Sequence, residues 1–201
     1  IPPLVSLARD GTEMQREYAA FALGRLAINA NNQVSIAQAG GIPPLVSLVR
    51  DGTERQSERA AFALGNLANN ANNKVSIAQA GGIPPLVSLV RDGTEMQRQW
   101  AAVALGNLAN NANNKVSIAQ AGGIPPLVSL ARDGTEMQRE YAAFALGRLA
   151  INANNKVSIA QAGGIPPLVS LVRDGTERQR EYAAAALWRL ANNDNNKVSI
   201  A

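Results

Sequence analysis

Gly40-Gly41-Ile42-Pro43-Pro44-Leu45 is the stretch that decides the fold, because it returns along the chain at a fixed distance. The same Ile-Pro-Pro-Leu begins at Ile1, Ile83, Ile124 and Ile165, so the period is 41 residues. A period of roughly 20 to 50 residues predicts a solenoid. One such unit is too small to bury a core alone, so each unit must be stabilised by its neighbours.

The period divides the chain into five segments, which we call repeats 1 to 5 and expect to form a single domain. They span residues 1–41, 42–82, 83–123, 124–164 and 165–201, and the last is incomplete. Alignment of the five leaves 30 of the 41 repeat positions unchanged and 11 variable. The unchanged positions report what every repeat needs, and the variable positions report where repeats differ.

The composition excludes several classes of function. The 201 residues contain no Cys and no His, which removes disulfides, thiolate and imidazole catalysts and the usual zinc ligands. No apolar run is long enough to span a membrane. The net charge of +4 is spread over all repeats and forms no basic tail. We therefore expect no catalysis, no cofactor, no metal site and no membrane insertion.

Each repeat begins with signals for a medium helix and a long helix. The two prolines suit a first helical turn, and the medium helix should end near Asp10-Gly11. Thr12, with Gln15 three residues later, is a capping-box pattern. It predicts a long helix from about Glu13 to Ile28.

A run of asparagines separates the long helix from a short one. Residues 29–32, Asn-Ala-Asn-Asn, favour caps and turns, and we predict the short helix over about residues 33–39. Gly40-Gly41 then permits a sharp bend into the next repeat. The predicted fold class is therefore all-α, with three helices in each repeat.

These features resemble the armadillo repeat. The residues that carry the resemblance are Ala-Gly-Gly-Ile-Pro-Pro-Leu-Val-Ser-Leu and, on the following long helix, Phe-Ala-Leu-Gly-Asn-Leu-Ala at 62–68. The resemblance implies a right-handed α-solenoid whose long helices line a concave groove for extended peptides. HEAT and tetratricopeptide repeats are the alternatives, but their two-helix units leave the Gly-Gly-Ile-Pro-Pro bend unexplained. The near-identity of the copies indicates a consensus-designed or otherwise engineered array.

Most variable positions lie on one side of the long helix. At about 100° per residue, repeat positions 14, 17, 18, 21, 24, 25 and 28 fall within an arc of roughly 120°. We call this arc the variable stripe. The opposite arc holds Ala and Leu residues that never change, which predicts core. The variable stripe should have no packing role common to all repeats, and its Tyr, Trp, Arg and Asn residues predict a recognition surface. A freely drifting solvated face is the alternative, but drift would favour Lys, Glu, Gln and Ser.

Three rows of the variable stripe contain the predicted peptide-binding residues. The first row is Tyr18, Arg59, Trp100, Tyr141 and Tyr182. The second row is Phe21, Phe62, Val103, Phe144 and Ala185. The third row is Arg25, Asn66, Asn107, Arg148 and Arg189. They are flanked by an acidic row of Glu17, Glu58, Gln99, Glu140 and Glu181.

The resemblance assigns a role to part of the third row. Asn66 and Asn107 would hold the main chain of a peptide, because an amide both donates and accepts hydrogen bonds. Arg replaces this Asn in the other three repeats, and Phe, Val or Ala stands where the family has Trp one turn earlier. These departures argue against a nuclear-localisation signal as ligand. Arginine beside aromatic residues favours carboxylates, phosphates or aromatic groups, although the acidic row could pair with a basic side chain.

Trp188 occupies repeat position 24, where the other four repeats have glycine. Glycine inside a helix costs about 1 kcal/mol relative to alanine. Its recurrence therefore predicts that a neighbouring repeat or a ligand backbone comes close. We interpret Trp188 as a cover for the last repeat, with a ligand anchor as the alternative.

Three functions remain open at this point. The leading hypothesis is a non-catalytic scaffold that binds an extended peptide or an unstructured protein segment. The second is a structural array without a natural ligand that associates head to tail through uncapped ends. The third is single-stranded nucleic acid binding, which the aromatic residues and arginines would permit and the neighbouring glutamates disfavour. Repeats 1 and 4 have identical stripes, so they should offer the same pocket twice.

Overall fold

A computed structural model describes residues 1–200, except for the side chain of Ser199, and contains fifteen helices in this range. The medium helices are α1 (Pro2–Asp10), α4 (Ile42–Asp51), α7 (Ile83–Asp92), α10 (Ile124–Asp133) and α13 (Ile165–Asp174). The long helices are α2 (Glu13–Leu26), α5 (Glu54–Leu67), α8 (Glu95–Leu108), α11 (Glu136–Leu149) and α14 (Glu177–Leu190). The short helices are α3 (Ala30–Gln38), α6 (Ala71–Gln79), α9 (Ala112–Gln120), α12 (Ala153–Gln161) and α15 (Asp194–Ile200).

The predicted capping box starts every long helix. The Thr12 hydroxyl accepts a hydrogen bond from the backbone N–H of Gln15, and the Gln15 side chain accepts one from the backbone N–H of Thr12 at 2.9 Å. The same reciprocal pair is present in the other four repeats. Two of the N–H groups that a helix start leaves without partners are satisfied in this way.

The boundary between the long and the short helix lies earlier in the chain than predicted. The long helix ends at Leu26, two residues before the predicted Ile28, and the short helix begins at Ala30. Asn29 is the N-cap, and its side-chain oxygen accepts two backbone N–H bonds of the first turn. The Asn32 side chain donates to the carbonyl of Leu26 at 3.0 Å, which also accepts the backbone N–H of Asn29 at 3.1 Å.

The glycine pair makes the bend between repeats, as predicted. Gly40 has φ of 75°, in the left-handed region that glycine enters without steric cost. Gly41 is needed for space, because a Cβ there would lie 2.7 Å from Cγ2 of Ile36. The three later glycine pairs repeat this arrangement.

The long helices form the centre of a stacked solenoid. Successive long helices pack against each other, and each packs against the medium helix of its own repeat. The unchanging arc of the long helices is the core, as predicted: Ala19, Ala20, Leu23 and Ala27 are buried in repeat 1, and all four have buried counterparts in repeats 2 to 4. Of their counterparts in repeat 5, only that of Ala19, Ala183, is buried. The buried apolar residues form one continuous core along the array.

Two rows of side-chain amides join successive repeats. The Gln56 side chain, besides capping its own helix, donates to the carbonyl of Glu13 in the preceding repeat at 2.8 Å. The Asn73 side chain donates to the carbonyl of Gln33 at 3.0 Å. The glutamine counterparts in repeats 3 to 5 and the asparagine counterparts in repeats 3 and 4 make equivalent bonds. These invariant polar residues therefore hold the array together and are not free for a ligand.

The long helices are the longest in the array at 14 residues each. Within residues 1–200, no helix combines the length and the apolar character required to cross a membrane.

Candidate functional site

The variable stripe lies at the surface along five consecutive long helices. In the first row Tyr18 is 61% exposed, and its four counterparts are half-buried. The third row is likewise exposed in repeat 1 and half-buried in the later repeats. The predicted residues therefore share one continuous and accessible face.

The second row also packs between repeats, which the sequence analysis did not anticipate. A Cβ placed on Gly24 would lie 2.6 Å from the ring of Phe62, and one on Gly106 would lie 2.5 Å from the ring of Phe144. Each phenylalanine thus lies directly on the glycine of the preceding long helix. This contact confirms the predicted close approach at position 24 and shows that the approaching group is the next repeat.

The aromatic side chains form two clusters along the variable stripe. The rings of Phe21 and Phe62 have centroids 6.1 Å apart, and Phe62 meets Trp100 edge to face at 4.9 Å. In the second cluster, Phe144 and Tyr182 lie 5.3 Å apart. Such spacings are typical of favourable aromatic pairs.

The third row makes a further bond between repeats. The side-chain amide of Asn66 donates to the carbonyl of Gly24 at 3.0 Å, and that of Asn107 donates to the carbonyl of Gly65 at 2.9 Å. Arg189 makes the corresponding bond to Gly147 at 3.2 Å. Arg148, at the same position of repeat 4, makes no such bond, so this contact joins repeats at three of the four junctions and is not common to all of them. The close stacking of long helices brings a backbone carbonyl within reach of this position.

Each of these asparagine amides still has hydrogen-bonding capacity. Only one of the two N–H groups of Asn66 is used, and among residues 1–200 no donor is bonded to its side-chain oxygen. Asn107 likewise donates one hydrogen bond from its side chain, and among residues 1–200 its side-chain oxygen accepts none. An amide held in this way is fixed in orientation and can still offer a donor and an acceptor to a ligand backbone.

The guanidinium groups of the stripe lie against aromatic rings. The Arg59 guanidinium lies 4.5 Å from the centroid of the Phe21 ring, and the Arg148 guanidinium lies 5.2 Å from that of Phe144. Contacts of this kind are attractive, because the ring face is negative. They hold flat, positively charged groups at the surface of the stripe.

Most of the acidic row is already close to a cation. Glu58 lies 3.3 Å from the guanidinium of Arg59. Arg55 reaches back to Glu17 of the preceding repeat at 3.9 Å, and Arg178 reaches back to Glu140 at 3.6 Å. Such partly exposed pairs add little stability, but they reduce the negative potential that a basic ligand would need.

Glu140 is the most enclosed member of the acidic row, with 4% of its surface exposed. One carboxylate oxygen, Oε1, is buried without a hydrogen-bond partner among residues 1–200. The adjacent Tyr141 has a pKa raised above its ordinary value, mainly by burial and further by the charge of Glu140. The hydroxyl of Tyr141 is therefore protonated at neutral pH and is available as a donor.

A cavity of about 160 Å³ opens in the stripe between repeats 4 and 5. Phe144, Arg148, Tyr182 and Arg189 line it, together with Gly147, Ala185 and Glu181. It exists because Ala185 stands where repeats 2 and 4 have phenylalanine. The sequence analysis missed this cavity, although the pairing of Ala185 with Gly147 places two small residues opposite each other.

Trp188 lies beside the third row and is 66% exposed. It lines a shallow depression with Ala150 and Ile151 of the preceding repeat. The guanidinium of Arg189 lies 5.6 Å from the centroid of one of its rings.

Within residues 1–200, no three acidic side chains are close enough to hold a metal ion, and the chain has no His or Cys. The polar groups of the stripe are amides, guanidinium groups, hydroxyls and the carboxylates of the acidic row. This arrangement can bind a ligand through hydrogen bonds, stacking and charge.

Comparison with solved structures identifies similar engineered proteins. A designed armadillo repeat protein in complex with the peptide (KR)4 superposes with a TM-score of 0.90 at 27% identity, covering 99% of this chain and 85% of that one. A second designed armadillo repeat protein reaches 0.93 at 27% identity, covering 99% and 86%. A computationally designed armadillo repeat protein for modular peptide recognition reaches 0.91 at 28% identity, covering 99% and 86%.

Comparison of sequences gives the family. The model of the armadillo/β-catenin-like repeat matches residues 29–69, 70–110 and 152–192, and a HEAT-like repeat model matches residues 98–149. No curated protein sequence matches the chain significantly. Each armadillo match contains one short, one medium and one long helix in that order. The three-helix unit, its glycine bend and these matches together show that the chain belongs to the armadillo/β-catenin-like repeat family.

Proposed function

We propose that the protein is a non-catalytic scaffold that holds an extended peptide across the variable stripe. The observation that carries this proposal is the continuous accessible row of aromatic, amide and guanidinium groups on consecutive long helices. Residues of these types dominate the energetics of protein interfaces. The similarity to designed armadillo proteins, one of them bound to a peptide, supports the same function.

Asn66 and Asn107 are the proposed main-chain contacts. Each amide is fixed by its bond to the preceding repeat and offers a remaining donor and acceptor. Packed helices lie about 8–10 Å apart, and an extended chain advances about 3.3 Å per residue. The inner side of a curved stack is tighter than this spacing, so about two peptide residues would correspond to each repeat.

A random-peptide binding screen at two salt concentrations tests the proposal. A selected peptide should lose affinity when both asparagines are changed to alanine, by about 5- to 150-fold if one hydrogen bond of about 0.5–1.5 kcal/mol is lost at each. The matched control changes Asn72 and Asn113 to alanine, because these exposed amides lie on short helices away from the stripe. Circular dichroism verifies that both variants remain folded.

The outcomes separate this function from its alternatives. Unchanged affinity in the Asn66/Asn107 variant would contradict the main-chain contacts. Binding of a single-stranded oligonucleotide that weakens steeply with salt would instead favour a nucleic acid ligand, because phosphate contacts release counterions. The paired glutamates of the stripe count against that ligand, since Glu17, Glu58 and Glu140 would all lie near its phosphates.

A further inference from the structure

The junction between repeats 4 and 5 differs from the junctions that carry phenylalanine in the second row. At those junctions Phe62 and Phe144 cover the preceding glycine. At the junction of repeats 4 and 5, the small side chain of Ala185 leaves the cavity of about 160 Å³ open. A cavity below the usual range of roughly 300–1,000 Å³ for small-molecule sites is suited to a single side chain.

Two arginines without an acidic partner line this cavity. Arg189 reaches across the junction to the carbonyl of Gly147, which directly precedes Arg148 in the chain. Arg148 lies over the Phe144 ring and does not bond to the preceding repeat. Within residues 1–200, neither guanidinium lies within 4.0 Å of a carboxylate. The two groups can therefore act together on one anion.

The surroundings of these arginines are positively charged. The pKa of Arg189 is lowered, mainly by burial and further by the charge of Arg148. Burial also lowers the pKa of Lys115 on α9, and Arg148 adds to this effect. Glu181 is the acidic residue at the rim of the cavity, but its side chain is exposed to solvent. Two guanidinium groups facing one solvated carboxylate leave an excess of positive charge.

We propose that this cavity binds the carboxylate side chain of an aspartate or glutamate in the bound peptide, an inference that rests on the proposed peptide-binding function. Arg148 and Arg189 donate charge-assisted hydrogen bonds to the carboxylate. Phe144 and Tyr182 form an apolar wall that strengthens these bonds by excluding water.

A site of this kind favours an acidic peptide, whereas a similar designed protein is bound to the basic peptide (KR)4. A basic ligand needs carboxylates that have no partner. In this chain Glu17, Glu58 and Glu140 already lie close to arginines. The arginines of the third row in repeats 4 and 5 have no such partner, so the C-terminal half of the stripe selects acidic side chains.

Fluorescence anisotropy with three labelled peptides tests the inference. The probes are five Thr-Glu units, five Thr-Gln units and the basic peptide (Lys-Arg)4, each carrying a dye without net charge. The Thr-Glu peptide should bind about tenfold or more tightly than the Thr-Gln peptide. Changing Arg148 and Arg189 to glutamine should remove this difference, because the Thr-Glu peptide should then bind no more tightly than the Thr-Gln peptide.

Two control variants separate the cavity from net charge. Arg50→Gln combined with Arg173→Gln removes the same two charges at exposed sites on medium helices, where each arginine pairs with an adjacent aspartate. This variant should keep at least half of the discrimination. Ala185→Phe retains both arginines but fills the cavity as phenylalanine does in repeats 2 and 4, and it should abolish the discrimination.

The peptides distinguish failure of this inference from failure of the proposed function. Absence of binding for all three peptides at millimolar protein would overturn both. Binding of the Thr-Gln or Lys-Arg peptide as tightly as the Thr-Glu peptide would overturn the carboxylate site alone. If the Arg148/Arg189 variant and the Arg50/Arg173 variant lost the preference for the Thr-Glu peptide equally, the carboxylate site would likewise be overturned, because the preference would then be a general charge effect.

Discussion

Repeats 1 and 4 have the same long helix, EMQREYAAFALGRL, and yet present different surfaces. Tyr18 and Arg25 are exposed in α2, whereas Tyr141 and Arg148 are half-buried in α11. The next repeat also differs, because Phe62 covers the glycine of α2, whereas Ala185 leaves a cavity open beside the glycine of α11. The expectation that identical stripes form identical pockets was therefore wrong. A binding surface in this array belongs to a junction between two repeats.

Alanine substitutions of the glycines at repeat position 24 give the strongest test of this difference between repeats 1 and 4. A Cβ on Gly24 meets the Phe62 ring at 2.6 Å, whereas one on Gly147 meets the flexible end of Arg189 at 3.2 Å. Gly24→Ala should destabilise the protein by about 1–3 kcal/mol through overpacking. Gly147→Ala should be neutral or stabilise by up to about 1 kcal/mol through helix propensity. Urea unfolding monitored by circular dichroism measures both free energies.

The interior of the array provides a second pair that is independent of repeat 1. Gly106 faces the ring of Phe144 at 2.5 Å, whereas Gly65 faces Val103 at 3.5 Å. Gly106→Ala should therefore lower the free energy of unfolding, as Gly24→Ala does. Gly65→Ala should be neutral or slightly stabilising, as Gly147→Ala is. Equal stabilities within either pair would contradict the assigned contacts.

The glutamine of the capping box should give a smaller difference in stability between repeats 1 and 4. Gln138 caps its helix and also donates to the carbonyl of Glu95 at 2.8 Å, whereas Gln15 is exposed and makes only the cap. Gln15→Ala should cost about 0.5–1 kcal/mol. Gln138→Ala should cost about 1–3 kcal/mol, because a buried bond is also lost. Urea unfolding of both variants tests this, and a larger loss for Gln15→Ala would rule out the contribution of the bond between repeats.

The smallest expected effect concerns the titration of Tyr141. Burial and the charge of Glu140 raise its folded-state pKa above the ordinary value of about 10. The folded state therefore holds this proton more tightly than the unfolded state, and the associated stability is lost as pH rises through the folded-state pKa. The difference in tyrosinate absorbance between the parent protein and Tyr141→Phe should give a midpoint above 10. A midpoint at or below 10 would contradict the buried environment.

The periodic and local features of the fold could be predicted from the sequence. Thr12 and Gln15 form the expected capping box because both partners lie three residues apart on one chain segment. Gly40 adopts the expected bend because few other residues tolerate its backbone angles. The boundary between the long and short helices was less predictable. Several asparagines in a row can each cap a helix, and only the folded packing selects Asn29 as the cap.

The contacts across junctions were much harder to predict. The recurrent glycine did indicate a close neighbour, but the sequence pattern did not show that its neighbour is Phe62 of the next repeat. That pairing depends on how far one long helix shifts along another, and repeat periodicity does not determine this shift. The cavity at Ala185 was missed for the same reason, since its walls come from two repeats.

Trp188 sets a limit on how the array can be extended. An incoming repeat or second copy with phenylalanine at position 21 would place its ring on position 24 of α14, where glycine accommodates Phe62 and Phe144 at the earlier junctions. Trp188 fills that position with an indole and would clash with such a ring. We therefore expect Trp188 to oppose head-to-tail stacking of a copy that carries phenylalanine at position 21.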